Sequence, residues 1–154
     1  PTTGLDPQSR RQLWSLIESF RAKGGTVLLT THYMDEAERL CDNIAIVDHG
    51  QVIALGTSRQ LIRSLGAEHV VEFALRDDNG DGNDAPWRAL TGVLSARRDA
   101  GTWSLQTEAA HETVPALLSA LADRGLAMSE LRTHSPTLED VFVSMTGRRL
   151  IDDQ

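Results

Sequence analysis

The chain has 154 residues, 40% hydrophobic and 24% charged, the composition of a globular protein with one ordinary domain or two small ones. Its formal net charge of −7 excludes non-specific nucleic-acid binding, which needs a basic face. No apolar run approaches the ~20 residues that span a bilayer, so a membrane connection is expected to run through a partner.

The first helix signal is Asp6–Pro7. Asp6 can cap a helix whose first position is Pro7, where proline loses only an N–H that has no helical partner. Leu13, Leu16, Ile17 and Phe20 then recur at helical spacing as one apolar stripe, and Gly24–Gly25 stops the helix. Residues 26–31, a β-branched apolar run without polar alternation, predict a strand covered on both faces, as in an α/β sheet. A second helix is predicted around residues 34–41. Cys41, the only cysteine, excludes an internal disulfide, fits a reducing compartment and reads as a packing residue of that helix. Residues 44–47 and 51–55 flank "DHG" as a hairpin, because Gly50 can take a positive φ. Thr57 or Ser58 caps a short helix ending near Gly66.

Beyond Gly66 the pattern alternates. Val71, Phe73 and Leu75 predict a half-solvated strand, followed by the polar loop "DDNGDGNDAP" and a short helix or turn near residues 87–90. Residues 93–98 and 102–108 form a predicted hairpin around Asp99–Gly101. Val114, Leu117, Leu118 and Leu121 mark a helix stopped by Gly125; residues 126–133 read as a strand. Ser135–Pro136 opens a last helix with the stripe Leu138, Val141, Phe142 and Met145, ended by Gly147. The order strand, helix, strand, strand, helix, strand is that of a ferredoxin-like unit with a closing helix. Two domains are expected, residues 1–66 and 67–154, with the boundary near residues 65–69.

Open α/β sheets bind ligands at the carboxyl ends of their strands. His32 would sit at that end of the run 26–31, beside the helix that Asp6 caps. A neutral imidazole donates one hydrogen bond and accepts another, which suits a phosphate and a water together. Each residue alone is equally well a backbone-satisfying loop histidine and a simple helix cap.

Together the stretches "PTTGLDP" and "TVLLTTHYMDEAERLCDNIAIVDHGQVIALGT" resemble the ATP-binding subunits of ABC transporters over residues 1–66. In that resemblance Gly4-Leu5-Asp6 is the D-loop after the Walker B acidic pair, and His32 is the switch histidine. His32 would contact the γ-phosphate and position the attacking water; Gly4 and Asp6 would line the nucleotide site, with Asp6 reaching across a dimer interface. "SPTLEDVFVSMTGRRL" is similar to the closing motif of the accessory domain of drug-exporter subunits such as those for daunorubicin. The implied fold class is α/β: the C-terminal portion of a P-loop ABC ATPase followed by a ferredoxin-like α+β accessory domain. The implied cofactors are ATP and Mg²⁺. The implied partners are a second ATPase subunit and a membrane permease, and the implied place is the cytoplasmic face of the membrane.

The sequence contains no G-x-x-x-x-G-K-[ST] phosphate cradle and no Leu-Ser-Gly-Gly-Gln signature, and its only lysine is Lys23, between Ala22 and Gly24. The resemblance puts the catalytic glutamate just before Pro1, so this segment by itself is expected neither to bind Mg-ATP tightly nor to hydrolyse it. An uncovered strand at 26–31 would also drive self-association. Three rival readings carry less. Asp77, Asn79, Asp81 and Gly82 match the start of a calcium loop, but its twelfth position is Arg88 instead of a bidentate glutamate. His32, His49, His69, His111 and His134 lack ligand spacing for a metal hydrolase. A stand-alone interaction module is compatible with the missing cradle. Arg148–Arg149 read as a solvated helix end.

Overall fold

A computed structural model of the chain describes residues 1–76 and 83–147. It divides into two compact units, Pro1–Leu61 and a second that begins at Ile62.

In the first unit, α1 (Pro7–Ala22) starts where Asp6 accepts the backbone N–H groups of Gln8 and Ser9, as its side chain and Pro7 dictate. Next comes α2 (Met34–Leu40). The two helices are held by Arg21, which donates to the Leu40 carbonyl at 2.8 Å and to Asp42 at 2.5 Å, and by an Arg39–Glu18 pair at 3.0 Å. The Arg39 guanidinium also lies 5.0 Å from the Trp14 ring centroid. The strands β1 (Ile44–Asp48) and β2 (Gln51–Gly56) pair antiparallel, with Ile44 and Ile46 buried. Their loop, His49–Gly50, has φ of 47° and 75°, the two-residue turn whose twist matches the strands. Thr57 and Gln60 bond each other's backbone N–H, the reciprocal cap that opens α3 (Ser58–Arg63).

One expectation fails here. Residues 26–31 form no strand, and Leu28 is 95% exposed. A strand's N–H and C=O groups need a neighbouring strand, and none of the described residues provides one. On α1, Leu13 and Ile17 are half-buried, Leu16 is 66% and Phe20 53% exposed, and Trp14, outside the stripe, is the residue the helix buries.

In the second unit, β3 (His69–Leu75), α4 (Ala85–Arg88), β4 (Val93–Asp99), β5 (Thr102–Thr107), α5 (Ala110–Asp123) and β6 (Met128–His134) follow in the expected order. Their sheet runs β4-β5-β3-β6, and every pairing is antiparallel. One face carries a closed core of Val71, Phe73, Ala96, Trp103 and Leu105 against Trp87, Leu117, Ala120 and Leu121. Phe73 and Trp87 meet edge-on at 5.2 Å, and Trp103 lies 5.9 Å from Trp87. Buried Thr107 and Thr113 share a hydroxyl hydrogen bond at 2.6 Å, and Thr113 donates to the Thr91 carbonyl at 2.9 Å.

The final helix α6 (Leu138–Thr146) has a capping box of Thr137 and Asp140, and buries Leu138, Val141 and Phe142. It is tied to β4 by Arg97, whose guanidinium donates to the Val143 carbonyl and, at 3.0 Å, to the Ser144 carbonyl. Among the described residues no helix is long and apolar enough to cross a membrane.

Candidate functional site

Gly4, Asp6 and His32 all fall in the first unit. Gly4, with φ of 78°, shapes a turn closed by the Leu5 N–H on the Thr2 carbonyl at 3.1 Å. Asp6 follows directly, exposed, its carboxylate taking Gln8 N–H at 2.9 Å, Ser9 N–H at 3.1 Å and the Ser9 hydroxyl at 2.5 Å. The Ser9 and Gln8 donors hold its pKa below the ordinary aspartate value. His32 is exposed, and its ring lies 4.1 Å from that of Tyr33. Arg10, one turn into α1, places its guanidinium 4.9 Å from the same Tyr33 ring. Contacts therefore run from the Asp6-capped helix through Arg10 and Tyr33 to His32.

Beneath these residues lies Glu36, which is fully buried. Its Oε1 accepts from the Thr2 hydroxyl and from the Trp14 indole N–H at 3.3 Å; its Oε2 accepts from the Thr31 hydroxyl at 2.7 Å. Burial pushes this carboxyl up, but the hydrogen bonds from Thr2, Thr31 and Trp14 hold the pKa below the ordinary glutamate value. Neither Glu36 nor Trp14 stands out in the sequence as a site residue. The usable signal was positional: Glu36 shares its buried helix face with Ala37 and Leu40, where a solvated charge does not belong.

The other candidates remain apart. His49 occupies a hairpin tip, His69 opens β3, His111 lies beside Glu112 on α5, and His134 hydrogen-bonds the Ser135 carbonyl at 2.9 Å. No group of three possible metal ligands exists among the described residues. Asp77, Asn79, Asp81 and Gly82, and likewise Arg148–Arg149, lie outside the described residues; Arg88 pairs with Asp84 at 3.1 Å. Cys41 is half-buried, and burial pushes its thiol up, which disfavours the reactive thiolate.

No family model matches the chain. It is similar, however, to a daunorubicin resistance ATP-binding protein of Streptomyces coeruleorubidus, at 36% identity over 96% of the chain and 46% of that relative. A Nod factor export ATP-binding protein of Ralstonia nicotianae is 40% identical over 99% of the chain and 46% of its own length. A linearmycin resistance ATP-binding protein of Bacillus subtilis is 33% identical over 99% and 49%. The chain spans a little under half the length of these curated relatives. Aligned almost end to end, the chain is similar over 96–99% of its length to ABC ATP-binding proteins of export and resistance systems.

Proposed function

We propose that the chain is the C-terminal part of the ATP-hydrolysing subunit of an ABC exporter, coupling ATP binding and hydrolysis to transport of a drug-like or lipid-like substrate through a separate permease. The observation that carries this reading is the similarity to export and resistance ATP-binding proteins over 96–99% of the chain. Residues 1–66 then supply the end of the ATPase domain, and residues 67–154 a ferredoxin-like accessory domain. The β–α–β–β–α–β succession and the strand order β4-β5-β3-β6 support the second assignment.

The residues present fit a nucleotide phosphate at one edge. His32 is exposed and carries a donor and an acceptor, enough to hold a γ-phosphate oxygen and orient a water. Gly4 and the carboxylate of Asp6 form the adjoining loop, facing the second subunit of a dimer. Lys23 follows α1 as its C-cap and takes no part in a phosphate cradle, so that cradle comes from residues outside this segment. ATP with Mg²⁺ supplies the transferable phosphoryl group; the chain contributes position and charge, which is what phosphoryl transfer requires of a protein. The permease partner would hold the subunit at the cytoplasmic face of the membrane.

The test is His32→Ala in the complete ATP-binding subunit that carries this segment. ATP turnover is expected to fall by about 100-fold or more, the range seen when a positioned polar group at a reacting centre is removed, while nucleotide binding persists. Unchanged turnover overturns the assignment.

A further inference from the structure

Glu36 is a buried charge whose hydrogen-bond partners are three neutral donors from three separate stretches of chain: Thr2, Trp14 and Thr31. Burying a carboxylate carries a desolvation cost that an apolar residue would avoid, so the arrangement calls for an account beyond packing. We propose that Glu36 is a positioning residue that links the loop carrying Gly4 and Asp6 to the turn carrying His32.

The link has two arms. On one side the Thr2 hydroxyl is fixed on Oε1, and the Thr2 carbonyl accepts the Leu5 N–H at 3.1 Å, closing the turn through Gly4 that delivers Asp6 to its capping position. On the other side the Thr31 hydroxyl donates to Oε2 at 2.7 Å and accepts the Tyr33 N–H at 3.0 Å. That second bond bridges across His32. A hydroxyl has one proton, and an ionised carboxylate can only accept; the Thr31 proton is thereby committed to Glu36, and its lone pairs are turned to the Tyr33 N–H. Glu36 thus sets the polarity of the bond that shapes the backbone on both sides of His32. The Trp14 indole at 3.3 Å secures the same carboxylate to α1. A shift in either turn is transmitted to the other through one rigid group.

The catalytic consequence rests on the function proposed above; the link itself does not. Amide hydrogen exchange on this chain tests the link. Thr2→Val is expected to speed exchange at Tyr33, and Thr31→Val at Leu5, each by about tenfold, the scale of one hydrogen bond to a charged group. Glu36→Gln, which must turn its amide N–H₂ toward one arm, should speed both. Thr2→Ser and Thr31→Ser, which keep the hydroxyl, should restore protection, and Val71 and Leu105 in the second unit should not respond. If each valine variant disturbs only its own turn, the proposal is overturned, whether or not Glu36→Gln folds. In the complete subunit, Glu36→Gln should lower kcat by about tenfold while KM for ATP stays within about twofold. An unchanged kcat there, with His32→Ala inactive, removes the catalytic role of Glu36 and leaves the ATPase assignment standing. An active His32→Ala sinks that assignment, and the exchange data alone then decide the link.

Discussion

The two units treat their apolar residues in opposite ways. Around the antiparallel sheet, Val71, Leu105 and Leu117 have no exposed surface, and the aromatic cluster closes over them. In Pro1–Leu61, Leu16, Phe20, Leu28 and Leu55 stay open to solvent, Leu55 at 73%, although residues 26–31 are as apolar as any strand of the other unit. A core needs two layers facing each other. The sheet with α4 and α5 supplies both; the first unit supplies one side of a layer pair. The same kind of hydrophobic side chain is therefore a stabilising element in one unit and lies open to solvent in the other.

The sharpest way to break this contrast is to remove one large residue from each unit. Phe73→Ala should cost about 3–5 kcal/mol, because it opens a cavity among Trp87, Trp103 and Val71 that the sheet cannot collapse to fill; urea unfolding followed by tryptophan fluorescence measures it. A loss below about 1 kcal/mol would mean that the closed core is not what holds the second unit together. Leu28→Asp should shift stability by no more than about 0.5 kcal/mol, since the side chain has almost nothing to lose. The same change should reduce self-association in multi-angle light scattering, where the unsubstituted chain is expected to form dimers or larger species through its uncovered apolar face. A clean monomer at high concentration for the unsubstituted chain would show that the open face is inert.

A smaller effect sharpens the comparison where the units agree. Each contains a two-residue hairpin loop with a non-glycine residue in the left-handed region, His49 at φ 47° and Ala100 at φ 46°. Glycine removes the Cβ clash, so Ala100→Gly and His49→Gly should each stabilise their own hairpin by about 1 kcal/mol, read from the denaturation midpoint. Equal gains would show that turn chemistry is independent of how completely a unit is packed.

These contrasts also explain what could be read from the residues alone. Asp6–Pro7, Thr57 with Gln60, the His49–Gly50 turn and the helix opening at Thr137 are written in short range, within four residues, and each element formed where its own signals put it. The run 26–31 forms no strand because strand formation depends on neighbouring strands, which none of the described residues supply to it, and periodicity carries no record of them. The α1 stripe identified an apolar face correctly but not whether anything covers it. The positions of Asp6 and His32 were legible as a helix cap and a residue after an apolar run. Glu36 was not, because a glutamate within a short helix looks solvated until three distant donors converge on it.

Arg97 grips α6 entirely through main-chain oxygens, those of Val143 and Ser144. Such a tether is blind to side-chain identity at the two positions it holds. Residues 143 and 144 can be exchanged, or reshaped to meet a different neighbour, while the helix stays moored to its strand; Arg97 itself has no such freedom.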